Sequence, residues 1–373
     1  SFVGAGMLGM PYAFMKSGWV LGTIVLTCVS SANVYCMLLL TKTRTKLLEQ
    51  GHKDLHGYGD VGRVIMGSHG EAVVNVCLLI SQTGFATAYI IFISANIYTI
   101  SQIDPAFICF GCVPILSILI QARDMKTLSP FSLVADVAIF TGVCAVLFED
   151  FEEYEPHKDT IKLFDMPNLT YVAAISVYSL EGVGLILPLE SSLKEPEAFP
   201  FLLKSVITGI TLLMAVFGTA GYLAFGDRTL APITLNLLGS KWASFVKLSL
   251  CLALYLTYPI MMFPVSSVLE GTVTSLQKSV YRIPFRFMLV LFTAVIAYSI
   301  PNFGEFLSLV GSSICVILGF IFPCYFHLKV FGKELSWSYW VFDIFLIVFG
   351  VALGVKGTFD SLHDLLLGDG ESR

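Results

Sequence analysis

Two short stretches hold residue types that could do chemistry. VGAGMLGMP (residues 3–11) and EGVGLILP (residues 181–188) each place Gly-x-Gly four or five residues before a proline, inside sequence apolar enough to enter a membrane. Glycine and proline interrupt helices. In lipid, an interruption frees backbone N–H and C=O groups that must line a cavity or bind something. The N-terminus of a half-helix suits a carboxylate, free carbonyls suit an ammonium or a cation, and a zwitterion carries both. With 31 glycines in the chain, two such matches also arise by chance, so the pattern alone leaves the echo open.

Glu181 is the sharpest single candidate, because an ionisable side chain within a membrane span is costly and faces the interior of a bundle. Carrying a proton, meeting a substrate amine, and holding a broken helix by accepting its N–H groups all fit it, and a purely structural cap is the plain alternative. Asp136 and Asp343 are further buried carboxylates, the latter on the last span, where it reads as a packing anchor. Glu190 stands at the end of its span and either gates or reaches water. The six histidines fall in loops, at span ends or in the tail, so no imidazole is expected in mid-membrane. CFGC (residues 109–112) has redox or zinc spacing but stands alone within a span and reads as packing. HExxH, GxSxG and facing mid-span aspartates do not occur, so the residues do not indicate an enzyme.

Long apolar helices are the elements that must position these residues. The 373 residues are 56% hydrophobic and 13% charged, with a mean hydropathy of +0.80. Crossing about 30 Å of hydrocarbon takes about 20 apolar residues in a helix. Eleven segments qualify: 1–17, 20–41, 72–98, 105–121, 127–148, 169–190, 201–225, 242–267, 284–300, 303–328 and 338–358. The chain therefore reads as an all-α integral membrane protein, and the absence of long alternating strands argues against a barrel. Because the first segment begins inside its apolar part, a longer N-terminal segment is expected upstream.

Positive charge orients the spans, since cytoplasmic loops retain lysine and arginine. With the N-terminus cytoplasmic, inner loops hold fourteen of the 22 basic residues, and the opposite side and span edges hold eight. The outer loop EDFEEYEPHKD (residues 149–159) is acidic, and the four tryptophans sit at span ends, where an interfacial belt belongs. The segment 41–67 is basic and reads equally as an interfacial helix or a solvated loop. The formal charge of -5 offers no case for nucleic acid. The nine cysteines lie within spans, which argues against a disulfide framework.

Splitting the chain near residue 160 gives five spans, then five of opposite topology, then one more, and the two glycine–proline stretches open the first span of each half. In order and spacing the sequence resembles the amino acid/auxin permease family, closest to its proton-coupled and vacuolar neutral amino acid branch. The similarity rests on VGAGMLGMPYAFMKSGW (3–19), YGDVG (58–62), SQTGFATAYIIFISANI (81–97), LEGVGLILPLESSLKEP (180–196), GYLAFGD with ITLNL (221–237), LTYPIMMFP (256–264) and IPNFGEFLSLVGS (300–312).

The resemblance implies a LeuT-type fold of eleven transmembrane helices: one domain over 1–373, inverted repeats at about 1–155 and 160–330, discontinuous helices 1 and 6, and an eleventh helix at 338–358. It implies alternating-access transport of neutral amino acids coupled to protons. A sodium-coupled carrier and a membrane sensor of the same fold are the alternatives. Gly4, Ala5, Gly6, Met7 and Leu8 would then offer N–H groups to a substrate carboxylate, and Glu181, Gly182 and Gly184 would face its amine. For Tyr89 and Tyr178, pocket lining and packing compete evenly. The coupling ion falls to Glu181, Asp136 or Thr257, the last beside Tyr258 where this fold can hold a cation. No cofactor or metal is implied. The partners are an amino acid, a proton and the bilayer, and a vacuolar or lysosomal membrane is favoured over the plasma membrane.

Overall fold

The computed structural model describes residues 4–53, 55–121, 141–142, 144–146, 161–193, 195–237, 241–272 and 278–367. Among these residues every long element is a helix: α1 Ala5–Ser17, α2 Trp19–Glu49, α3 Tyr58–Ser101, α4 Pro105–Leu119, α5 Leu169–Ser179 and α6 Val183–Ser192. There follow α7 Phe199–Phe225, α8 Lys241–Thr272, α9 Ser279–Ser299, α10 Phe303–Phe331 and α11 Trp337–Leu367.

Eight stretches among the described residues are long and apolar enough to cross a membrane, with α5 and α6 together making one of them. Eleven were expected from hydropathy. The shortfall has identifiable causes: α1 has 13 described residues and α4 has 15, both below the roughly 20 that a full crossing takes. The fifth expected span, 127–148, lies almost wholly outside the described residues, and Asp136 with it.

Two helices are longer than hydropathy indicates. The basic end of α2 stays helical to Glu49, and α3 starts at Tyr58, so most of the segment 41–67 is helix. Hydropathy misses these turns because their charged faces leave the hydrocarbon. A kink inside α3 falls at Gly67, whose φ of 74° and ψ of -165° lie outside the range that other residues adopt comfortably.

The helices sort into two packed groups. In one, α1 lies against α5 and α7, and α2 lies against the same two helices. In the other, α3 packs along α8, α4 packs along α9, and α3 also touches α4 and α9. Between them stands α10, whose middle winds into π-helical turns at Gly311–Cys315 and Ile317–Ile321. Its first π turn packs on α5, its last turns pack on α2, and α11 covers its outer side.

One of the span-end histidines is buried in the bundle. His327 is 5% exposed on α10, with Nδ1 2.6 Å from Asp343 Oδ2 on α11. The Tyr35 hydroxyl of α2 donates to the other Asp343 oxygen at 2.7 Å. Asp343 thus ties three helices together, in keeping with the role of a packing anchor. Its partners come from separate helices, which is why loop-and-span bookkeeping placed His327 at an uncommitted span end.

Close approach of α1 to α5 depends on one position. A Cβ on Gly6 would lie 2.8 Å from Ser179 Cα, so backbone would have to move. Gly6→Val is expected to cost about 1–3 kcal/mol of stability through overpacking. By contrast, Gly209 on α7 has open space around it, so Gly209→Ala serves as the control. Equal melting temperatures for the two purified variants would contradict this contact.

Candidate functional site

Gly4, the first described residue, precedes α1 with a φ of -155° and a ψ of -149° that are not helical. From Ala5 onward α1 is continuous, through Gly6, Gly9 and Pro11. The break expected across Gly4–Pro11 is therefore not seen from Ala5 onward, and residues 1–3 lie outside the described residues. Pro11 is accommodated by its neighbour: a Cβ on Gly221 of α7 would come within 2.9 Å of the proline ring, so the ring fits where α7 has no side chain. No side chain caps α1 at Gly4, and the first-turn N–H groups at this end point out of the helix.

An interruption separates α5 from α6 over residues 180–182. Gly182, with φ -175° and ψ 8°, starts α6. Neighbouring side chains take up the backbone groups that the break exposes. Asn33 Nδ2 of α2 donates to the Leu180 carbonyl at 2.6 Å, and the Glu181 carboxylate accepts from the Val183 N–H. Across from this carboxylate, α10 presents Gly319, at which a Cβ would lie 3.5 Å from Glu181 Oε2. The adjacent Leu318 carbonyl, within a π turn, receives the Tyr58 hydroxyl at 2.9 Å. π turns often mark functional positions.

A cavity of about 40 Å³ lies where the start of α1 meets the α5–α6 break. Its walls are Gly4, Ala5 and Gly6 at the start of α1; Tyr178, Ser179, Glu181, Gly182 and Leu185 around the α5–α6 break; Gln82, Phe85 and Tyr89 of α3; and Met261 of α8. Tyr178 meets the Phe85 ring edge-on at 4.8 Å between centroids. Its hydroxyl is buried without a hydrogen-bond partner among the described residues. A buried hydroxyl left unpaired costs about 1–3 kcal/mol, which a polar ligand in the cavity would recover.

Of the residues singled out in the sequence, the fold brings Gly4, Ala5, Gly6, Tyr89, Tyr178, Glu181 and Gly182 to this cavity. Others lie elsewhere. Met7 and Leu8 are in the packed core. Gly184 faces Leu78, with a Cβ there placed 2.7 Å from its Cδ2. The Thr257 hydroxyl donates within its own helix to the Ala253 carbonyl at 2.8 Å, and Tyr258 pairs with Thr293 at 2.7 Å. Sequence reasoning missed Asn33, Gln82, Phe85, Ser179, Leu185 and Met261. Asn33 and Gln82 carried a usable signal, as amides within apolar spans; the others look like ordinary packing residues.

The arrangement offers a positive helix end, a carboxylate and a free hydroxyl within one small apolar-walled space. That set matches a zwitterion, with its carboxylate at α1 and its amine toward Glu181.

Known proteins share both the sequence and the fold. A family model described as transmembrane amino acid transporter protein matches residues 1–362. The chain is 36% identical to amino acid transporter AVT3C of Arabidopsis thaliana, over 97% of this chain and 88% of that protein. It is 28% identical to vacuolar amino acid transporter 3 of Saccharomyces cerevisiae, over 95% of this chain and 54% of the yeast protein. Against the proton-coupled amino acid transporter-like protein pathetic of Drosophila melanogaster the identity is 26%, over 98% and 83%. Among solved structures, a Na+-coupled sialic acid symporter in its substrate-bound outward-open state aligns with a TM-score of 0.54 at 9% identity, covering 96% of this chain and 90% of that one. At that identity the likeness is one of fold.

The Asn33 contact can be tested directly. Asn33→Leu leaves the Leu180 carbonyl unpaired in the bundle and is expected to lower stability by about 1–3 kcal/mol. An unchanged melting temperature would mean that another group satisfies the carbonyl.

Proposed function

The chain belongs to the transmembrane amino acid transporter family, and we propose that it is a secondary active transporter moving neutral amino acids by alternating access, coupled to protons. The observation that carries this reading is the convergence of the start of α1 and the α5–α6 break on one cavity, where the α1 N-terminus faces Glu181 and the unpaired Tyr178 hydroxyl. Irregular backbone at membrane depth belongs where it lines a cavity.

The same reading takes the chain as one LeuT-type domain with inverted repeats at about 1–155 and 160–330. The packing supports it: α1 against α7 is mirrored by α5 against α2, while α3 with α8 and α4 with α9 are the matched pairs expected of two related halves. A cavity of about 40 Å³ is small beside the roughly 300–1,000 Å³ of ordinary ligand clefts, so the described conformation is a contracted one. Substrate access then requires the α1–α5–α6 unit to move against α3 and α8. Gly6 keeps the space open and no second carboxylate among the described residues lines it, which suits a small neutral side chain better than a basic one.

Glu181 is the preferred proton carrier, since among the described lining residues it is the one that carries a carboxylate into the cavity. Thr257 supplies one oxygen, too few for a sodium cage by itself. The charge distribution supports a cytoplasmic N-terminus, and the relatives' vacuolar names support a vacuolar membrane with export from an acidic lumen.

Flux of radiolabelled neutral amino acids into proteoliposomes, with pH and sodium gradients varied separately, tests the reading. Uptake should follow the pH gradient and ignore sodium; the reverse would replace proton by sodium. Glutamine keeps an oxygen for the Val183 N–H, so Glu181→Gln preserves the helix cap and removes only the titrating proton. It should leave exchange of substrate but abolish concentrative uptake, and normal proton stoichiometry in this variant would falsify the carrier assignment.

Tyr178→Phe should act with opposite signs on stability and binding. Deleting an unpaired buried hydroxyl is expected to raise the stability of the substrate-free protein by about 1 kcal/mol, while weakening substrate binding some threefold to tenfold. A loss of both together would place the hydroxyl in a structural bond instead.

A further inference from the structure

At the end of the bundle where α1 turns into α2, a second cavity of about 300 Å³ opens between α1, α5, α10 and α11. It shares no lining residue with the central one. Its polar groups are only partly satisfied. Glu305 is 3% exposed; its Oε1 lies 2.6 Å from Lys16 Nζ, while Oε2 is buried without a hydrogen-bond partner among the described residues. The Tyr171 hydroxyl, also on the cavity wall and also buried, is in the same condition.

Lys16 shows what this wall accepts. Its ammonium is held by one Glu305 oxygen, 4.1 Å from the centroid of the Tyr171 ring and 5.3 Å from that of Tyr12. An ammonium between a carboxylate and aromatic faces gains both charge-assisted hydrogen bonding and cation–π attraction. The second Glu305 oxygen is left for another donor. Nearby, Asp360 takes Thr170 and Lys356, and Asp364 stands beside His363. With three carboxylates against two lysines on the wall, a positive guest is favoured. The volume reaches the lower end of the range for small-ligand clefts.

We propose that this cavity binds a small primary ammonium compound at Glu305 and Tyr171, independently of the central cavity. Its ammonium donates to Glu305 Oε2 and leaves the Lys16 pair intact. Two sources fit that chemistry: an amino acid, whose carboxylate would turn to the lysine side of the cavity, and a simple amine without a carboxylate.

Protection of an engineered cysteine separates them. His363 lines the cavity and its side chain is 56% exposed, so His363→Cys can be labelled by a water-soluble maleimide in the full-length protein, over the unsubstituted protein as background. Ethanolamine or alanine at roughly ten times its dissociation constant should slow labelling about tenfold. Protection by ethanolamine shows that the ammonium suffices; protection by alanine alone shows that the zwitterion is required. Either result supports the site if Glu305→Gln removes the protection and Tyr178→Phe keeps it. Failure of both compounds to protect, or protection that survives Glu305→Gln, overturns the proposal. So does protection that drops to about twofold to fourfold in Tyr178→Phe, because the effect would then come from the central cavity. The transport reading stands or falls separately, on the flux measurements. Should the cysteine variant not fold, a rise in melting temperature of the unsubstituted protein with ethanolamine, absent in Glu305→Gln, reads out the same binding, and no rise overturns it.

Discussion

A peptide group in the middle of a membrane has no water to turn to, and leaving it unbonded costs several kcal/mol. Breaking a helix there is tolerable only if other parts of the chain supply partners. Around the α5–α6 interruption they do: Asn33 takes the Leu180 carbonyl and Glu181 takes the Val183 N–H. Tyr58 does the same for the Leu318 carbonyl in the π turn opposite. Asn33 thus ties the break to α2, while Tyr58 ties α3 to α10 opposite it. Next to the break, the α1 N-terminus and the unpaired Tyr178 side chain line the cavity. The candidate site thus gathers polar groups that the packing around the break leaves without partners.

Close packing gives this remainder its shape. Gly6 lets α1 approach Ser179, and Gly311 lets the first π turn of α10 approach Ala174, where a Cβ would lie 2.9 Å from the carbonyl carbon. Larger residues at either position would push the half-helices apart and move the N–H end of α1 away from Glu181. Because packed interiors resist small deformations, such a unit moves as a whole or not at all. The opposite wall, from α3 and α8, belongs to the other packed group. A boundary between two stiff groups is where a cavity can widen without either group unfolding.

Much of this was legible in the sequence, and the limits have physical causes. Hydropathy found the spans because a helix in lipid must be apolar along its length, yet it missed the ends of α2 and α3, where the helix continues into water. Glycine and proline located the α5–α6 break, since their effect on the backbone is local. They overstated the disruption of α1, because the tolerance of Pro11 depends on Gly221, more than 200 residues away in sequence. His327 and Asp343 could each be seen, but nothing local says that they meet. Asn33 could have been found by the rule that singled out Glu181, a polar group where lipid would penalise one. Phe85 and Met261 could not, because an apolar wall residue has the same chemistry as a core residue and differs only in having empty space beside it.

The two roles of Glu181 are compatible for a reason that lies in the carboxyl group itself. Protonation removes the charge but leaves one oxygen able to accept, so the Val183 bond can persist while the group titrates. What changes is the pull on an amine in the cavity. Under the proposed cycle, a proton on Glu181 would alter how firmly substrate is held without unwinding α6, and the helix break would serve as a fixed frame. A carboxylate whose only task was to cap α6 would have no need to reach the cavity wall. Glu181 reaches both the Val183 N–H and the cavity, placing the structural bond and the titrating group on the same side chain.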